Sequence, residues 1–170
     1  ITLPSKVTSL EERCFCGCSK LTNINLTSNI KTLGNGCFMN CKKLTGPLTV
    51  ASTDIPDECF SGCLALTVVV INYLVKTIGD ASFSGCQKLN TIIVEAFVSP
   101  PVIKANSFMN VSSSYSKNIY VQDSILESYK TAENWSSLFA SVYKLKAMST
   151  LPETLRSVVS QSTKDLYGWI

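Results

Sequence analysis

One pattern of apolar and polar positions occurs five times along the chain. Its second copy, CFMNCKKL, has a phenylalanine, a cysteine three residues later and a leucine three residues after that. The fifth copy is degenerate. The phenylalanines of the five copies are 23, 22, 23 and 25 residues apart, at Phe15, Phe38, Phe60, Phe83 and Phe108. Self-similarity at a period of about 20–29 residues is typical of units that stack on their neighbours. The spacing predicts a right-handed parallel solenoid of about five rungs, one rung per repeat of 22–25 residues.

The apolar residues outside this phrase predict short strands. Segments 21–26, 66–71 and 89–94 have the form L-x-x-L-x-L, in which alternate residues face the core and solvent. The cysteine and phenylalanine of each phrase are expected to point inward from a short helical turn. In the second repeat Gly46 and Pro47 shift the apolar pair by one residue, to Leu48 and Val50. Because proline donates no ladder hydrogen bond, we expect a bulge or break in the sheet there.

Three regions follow from this pattern: repeats over 1–114, a C-terminal capping segment over 115–145, and a tail over 146–170. The cap is predicted as a strand over 118–121, a helix with a capping box between Ser124 and Glu127, an apolar cluster around Trp135, and a strand over 141–145. In the tail Pro152 starts either a weak helix or an extended segment, and the region is also interpreted as a linker or the start of a further domain. Because Ile1 begins mid-pattern, we expect a mature piece or a fragment.

The repeated phrase resembles that of a known family. An A, C or S followed by F-x-x-C-x-x-L at a spacing near 23, with isoleucine or leucine five residues before the phenylalanine, is similar to the BspA-like leucine-rich repeats of surface proteins from gut and oral anaerobic bacteria. The resemblance covers about residues 1–145, since Pro100-Pro101 and the segment YKTAENW at 129–135 are similar to the family's closing elements. It implies an α/β repeat fold, a leucine-rich-repeat solenoid of short parallel strands and helical turns with a small C-terminal α/β cap. It also implies adhesion and surface display, with no family-wide catalytic residues.

Composition and charge exclude several function classes. With 45% hydrophobic and 16% charged residues, the 170-residue chain is globular and not disordered. Its net charge of +3 is thinly spread, which argues against a nucleic-acid partner, and its longest apolar run is far too short to span a membrane. There is no histidine, and no nucleophile, phosphate-binding or metalloprotease motif occurs. The chain is therefore predicted not to be an enzyme and to hold no cofactor.

The eight cysteines fall mainly on two repeat positions. One is occupied by Cys18, Cys41, Cys63 and Cys86, and the other by Cys14, Cys37 and Cys59. We predict that the first four are reduced, buried thiols that pack as a ladder beside the phenylalanines. Cys16 has no counterpart in other repeats and is predicted to react first. A structural zinc at the C-x-C-x-C segment is the disfavoured alternative, because histidine and C-x-x-C pairs are missing.

The outward face of the strands is the predicted protein-binding site. It comprises Thr22, Asn23, Asn25, Thr45, Val68, Val70, Thr91 and Ile93. Segment 68–71 is apolar on both faces, so something must cover it: the protein's own cap or tail, or a partner protein. The predicted function is protein–protein binding or adhesion at the cell surface or outside the cell, with an extracellular host or matrix protein or another surface protein as partner. The alternative is a structural spacer that presents another domain of a longer surface protein.

Overall fold

The structure, a computed structural model, describes residues 1–26, 28–111, 117–141 and 143–170, with nothing stated of the Ser141 side chain. Short strands dominate its first two thirds. Within the described residues they are, in chain order, β1 (Ser9–Leu10), β2 (Thr32–Leu33), β3 (Leu48–Val50), β4 (Asp54–Ile55), β5 (Val68–Ile71), β6 (Thr77–Ile78), β7 (Thr91–Val94), β8 (Val102–Ile103), β9 (Lys117–Val121) and β10 (Tyr143–Ala147). All of the strand pairings are parallel.

In the part of the chain that the structure describes, the strands form two sheets that extend along the stack of repeats, plus the pair β1 and β2. The larger sheet has the order β10-β9-β7-β5-β3, and the smaller has the order β4-β6-β8. Equivalent positions of successive repeats lie opposite one another, so that Val70 faces Ile93 and Ile93 faces Tyr120 in the strand register. The parallel leucine-rich-repeat solenoid is therefore confirmed.

The repeated phenylalanines form a single column inside the solenoid. The ring centroids of neighbours are 5.2 to 5.4 Å apart along Phe15, Phe38, Phe60, Phe83 and Phe108, with interplanar angles of 1° to 12°. This spacing follows the distance of about 4.8 Å between strands, which places each ring over the next. The predicted interior column is present, and it includes the phenylalanine of the degenerate fifth copy.

The phrase around each phenylalanine folds as consecutive turns rather than as the predicted helical turn. Its backbone bonds to the next repeat: the Phe38 N–H donates to the Cys59 carbonyl at 2.8 Å, and the Asn40 N–H to the Ser61 carbonyl at 2.7 Å. The residue two after each phenylalanine has a φ of 57° to 71°, at Gly17, Asn40, Gly62, Gly85 and Asn110. Glycine and asparagine adopt this left-handed conformation most readily, which explains why only these two types occur there.

The expected break in the sheet lies at Gly46 and Pro47, whose peptide bond is cis. The N–H and hydroxyl of Thr45 both donate to the Thr22 carbonyl at 3.0 Å, but β3 begins only after the proline and is an edge strand. The strand predicted over 21–26 is not formed, because Pro47 has no N–H to pair with that segment. Its described residues make one isolated bridge, between Asn25 and Thr2.

The cap consists of β9 and β10 with two helices between them, α1 (Leu126–Thr131) and α2 (Trp135–Ser141). The capping-box prediction is wrong: Ser124 lies in a 3₁₀ turn at Asp123–Ile125, and α1 has no side-chain capping bond. The last strand begins later than predicted, at Tyr143, since α2 extends to Ser141. The predicted boundary between repeats and cap, at 114 and 115, lies outside the described residues.

The cap closes the exposed edge of the smaller sheet with side-chain donors. The Trp135 indole N–H donates to the Pro101 carbonyl, and the Asn134 side-chain amide to the Ile103 carbonyl, each at 2.7 Å. These two carbonyls flank Val102 on β8, the edge strand of that sheet. The Trp135 ring also lies 6.2 Å from the Phe108 ring and extends the aromatic column into the cap. Polar groups that would otherwise be left at a sheet edge are thus satisfied.

The tail is helical. After a 3₁₀ turn at Met148–Thr150 it forms α3 (Glu153–Arg156) and α4 (Gln161–Tyr167). Ser160 caps α4 by accepting a hydrogen bond from the Thr163 N–H, and Gly168 ends the helix at a φ of 64°. Within the described residues, all helices are too short to cross a membrane.

Candidate functional site

The N-terminal half of the predicted strand face is open to solvent. The side chains of Thr22, Asn23, Asn25 and Thr45 are exposed. Val68 lies at the boundary of this region and is half-buried against tail residues. The accessible part of the face is therefore polar and uncharged, and it displays hydroxyl and amide groups from the first two repeats.

The C-terminal half of the same face is covered by the tail, which corrects the prediction that it is outward and free. Val70 and Ile93 are fully buried, and Thr91 is only 8% exposed. The two apolar residues share a second core, separate from the solenoid interior, with Tyr120, Met148, Leu151 and Val159. Segment 68–71 is apolar on both faces because one side packs inside the solenoid and the other beneath the tail. Of the two covers that the sequence left open, the tail is the one observed.

A row of buried polar side chains fastens the tail. Asn72 and Glu95 come directly after β5 and β7, and Gln122 after β9. The Glu95 carboxylate accepts hydrogen bonds from the Asn72 side-chain amide at 3.0 Å and from the Ser160 backbone N–H at 2.6 Å. The Gln122 amide donates to the Thr163 hydroxyl at 3.3 Å. Because a buried polar group is costly without a partner, these bonds favour one position of the tail over others.

A second set of contacts holds the tail at its ends. The Asp123 carboxylate accepts from the Ser149 backbone N–H at 2.9 Å and from the Tyr167 hydroxyl at 2.8 Å. Burial disfavours the charged form of Asp123, but these hydrogen bonds outweigh it and lower the pKa of the carboxyl. Within the tail itself, the Arg156 guanidinium lies 4.8 Å from the centre of the Trp169 ring, which is within cation–π range.

The cysteines differ in how far they are buried. All eight lie in the described residues, and all eight are free thiols. Cys41, Cys63 and Cys86 are buried as predicted, and each thiol donates to the carbonyl of a phenylalanine one repeat earlier, at 3.1 to 3.2 Å. The prediction for Cys18 is wrong, because this residue is exposed. It belongs to the first repeat, whereas the three buried thiols belong to the second, third and fourth repeats.

Burial controls the chemistry of the inner thiols. It raises the pKa of Cys41 to about 11 and those of Cys37 and Cys86 to about 12. The pKa values of Cys59 and Cys63 are raised by the same cause. In the part of the chain that the structure describes, no cluster of three or more acidic, cysteine or histidine side chains is placed to hold a metal ion.

Sequence reasoning missed an apolar groove beside the smaller sheet. The connections from the larger to the smaller sheet lengthen from three residues at 51–53 to five at 72–76 and seven at 95–101. The last two enclose a groove of about 500 Å³. Tyr73 and Lys76 line it from one connection, and Phe97 and Val98 from the other. The rise in phenylalanine spacing from 23 to 25 across the last connection was the available signal.

Comparison with solved structures gives a similar protein. A leucine rich cell surface protein from Faecalibacterium prausnitzii A2-165, known from a crystal structure at 1.80 Å resolution, matches with a TM-score of 0.64 and 26% sequence identity. The match covers 75% of this chain and 34% of that protein, so this chain corresponds to about a third of its length. No curated protein is similar enough to match.

A family model also matches almost the whole chain. Its description is BspA type leucine rich repeat region, with 6 copies, and it matches residues 1–114 and 53–163. The second matched range continues through β9 and β10 into the tail, which agrees with the addition of both strands to the sheet of the repeats. With this match, the phenylalanine column and the parallel sheets, the chain belongs to the BspA-type leucine-rich repeat family.

Proposed function

We propose that this chain is a non-catalytic module of a cell-surface or secreted protein and that it binds a partner protein through the open half of its strand face. Family membership and the surface-protein neighbour support this proposal. Leucine-rich repeats place equivalent side chains at regular intervals along one face, and this arrangement suits contact with an extended partner. Adhesion to an extracellular host or matrix protein is the specific role proposed.

The open half of the strand face is proposed as the binding surface on the basis of one observation. The tail covers the C-terminal half of this face and leaves the polar half exposed. Thr22, Asn23, Asn25 and Thr45 are exposed side by side, and each can donate and accept hydrogen bonds. Protein interfaces commonly use such groups for orientation, with apolar contacts at their centre. Val68, half-buried at the boundary, is an apolar side chain at the edge of this polar row.

A spacer role is the second candidate, and the covered apolar strip favours it. Val70 and Ile93 contact the chain's own tail, so they serve the stability of this domain. A solenoid closed in this way holds a fixed length between whatever is attached at its two ends, without any ligand of its own.

Surface plasmon resonance separates these two candidates. The chain and the variant Asn25→Arg/Thr45→Arg are passed separately over a panel of purified extracellular-matrix proteins. The variant places two bulky, charged side chains on the open face. The matched control is Thr32→Arg, at an exposed site on β2. Binding that is lost in the double variant and retained in the control supports the proposal. If the chain binds no member of the panel, the spacer role is favoured, and if both variants bind equally, the strand face is not the site.

A further inference from the structure

The groove between connections 72–76 and 95–101 exposes large apolar side chains. Val98 is 88% exposed, Val102 is 63% exposed and Tyr73 is 42% exposed. The rings of Tyr73 and Phe97 lie 5.7 Å apart and join the two connections in one aromatic wall. Contiguous exposed apolar surface of this kind is characteristic of binding sites rather than of ordinary protein surface.

Apolar side chains are exposed at the groove but covered on the strand face. The chain therefore has a segment that can cover apolar surface, and it does not use it at the groove. The apolar strip on β5 and β7 is sealed by the tail, down to full burial of Val70 and Ile93. At the groove the opposite holds: the longest of the connections from the larger to the smaller sheet, 95–101, leaves the Val98 side chain exposed. A connection of three residues suffices at 51–53, so the seven residues at 95–101 are not needed to join the sheets.

The groove carries one positive charge. Lys76 is the one charged side chain among the described residues that line it. Lys76 is exposed, and within the described residues no carboxylate pairs with it. An acidic group of a ligand is therefore the charge complement, and it would be adjacent to apolar contacts that lower the local dielectric and strengthen the attraction.

The rim of the groove also has free backbone groups. Within the described residues, the N–H and carbonyl groups of Phe97, Val98 and Ser99 make no hydrogen bond. The two prolines that follow, Pro100 and Pro101, have no N–H, so this segment does not continue the sheet ladder. Free main-chain donors and acceptors beside side-chain pockets are the means by which proteins bind extended peptides.

We propose that this groove binds an extended peptide segment of a partner protein, with a large apolar side chain beside an acidic residue. The apolar side chain packs against the wall formed by Tyr73 and Phe97 and against Val98, and the acidic residue pairs with Lys76. A volume of about 500 Å³ accommodates a few side chains of a peptide. A second copy of this chain fits poorly, because a two-fold contact centred on the groove brings the two copies of Lys76 together. The peptide site is separate from the strand face and independent of its proposed role.

Selection from a phage-displayed library of random octapeptides tests this proposal. The intact chain should enrich peptides in which a large apolar residue adjoins aspartate or glutamate. Synthetic peptides from that pool should bind Val98→Asp at least about tenfold more weakly than the unmodified chain. Lys76→Glu should reverse the preference and enrich lysine or arginine at the charged position. Leu64→Asp, at an exposed leucine outside the groove, is the matched control and should bind normally.

Further outcomes overturn the proposal or separate it from the proposed strand-face function. Absence of enrichment, or equal binding by Val98→Asp with its thermal melt unchanged, rules out the peptide site. Sedimentation of the chain as a dimer that Val98→Asp dissociates assigns the groove to a second copy instead. The variant Asn25→Arg/Thr45→Arg should bind the selected peptides normally, so loss of matrix binding and loss of peptide binding are distinguishable.

Discussion

The Glu95 carboxylate accepts a 2.6 Å hydrogen bond from the backbone N–H of Ser160, the residue that caps α4. The two residues are 65 positions apart in sequence, and Glu95 is fully buried. Its other oxygen accepts from the Asn72 amide. One acidic side chain thus connects two neighbouring repeats and the tail, and the outward strand face becomes part of the protein's interior.

Replacement of Glu95 should loosen the tail. In Glu95→Ala the amide of the buried Asn72 and the N–H of the half-buried Ser160 lose their acceptor, which should lower the free energy of unfolding by about 1–3 kcal/mol. Urea unfolding followed by circular dichroism measures this change. Glu133→Ala, at an exposed glutamate of the cap, is the control and should unfold normally. An unchanged midpoint for Glu95→Ala would show that these hydrogen bonds do not hold the tail.

A charge placed beneath the tail should be far more harmful than the same charge one repeat earlier. Val70 is fully buried, whereas Thr49, its partner in the strand register, is half-buried. Val70→Lys forces an unpaired ammonium group into an apolar layer or displaces the tail, and should destabilise the protein by several kcal/mol. Thr49→Lys should have little effect. Thermal melts of the two variants make the comparison; equal melting temperatures would mean that the strand face is free to bind a partner.

The repeat architecture was predictable because its signals are local and recur. Each copy repeats a phenylalanine, and after it a glycine or asparagine that the left-handed turn requires, so five weak signals combine into one strong one. The cap was less predictable. Ser124 and Glu127 match a capping box in spacing, yet the chain enters the helix through a 3₁₀ turn, and Asp123 is bound by Ser149 and Tyr167 of the tail.

The accessible surface was harder to predict than the fold, since it depends on contacts between distant segments. Strand periodicity correctly placed Val70 and Ile93 on the outward side of the sheet. It carried no information on whether Met148 and Leu151 would fold over them, because the tail has no repeat pattern. The groove lies in connections whose lengths vary from one repeat to the next, so the repeat consensus does not describe it.

The thiols should label in two classes. A thiol reagent acts on the thiolate, and burial keeps Cys37, Cys41 and Cys86 protonated at pH 8 by raising their pKa values to about 11 or 12. The prediction that Cys16 reacts first is corrected by the structure, because Cys16 is half-buried; the exposed Cys14 and Cys18 should react ahead of it. Mass spectrometry of the native protein after brief labelling identifies the sites. Denaturant should make all eight cysteines reactive, while rapid native labelling of Cys41 or Cys86 would contradict the buried ladder.

The aromatic column should respond to truncation according to position. Phe60 is fully buried between the rings of Phe38 and Phe83, at 5.3 and 5.4 Å, so Phe60→Ala removes contacts on both sides and leaves a cavity. A loss of about 3–5 kcal/mol in unfolding free energy is expected. Phe15 is half-buried, and within the described residues its ring stacks on Phe38 alone.

Phe15→Ala should therefore cost clearly less than Phe60→Ala, because each repeat of a solenoid is stabilised by its immediate neighbours. Urea unfolding of both variants gives the two losses, with Met109→Ala, at an exposed apolar site, as the control. Equal losses at Phe15 and Phe60 would mean that the stack responds as one body. In that case stability does not divide into interfaces between neighbouring repeats.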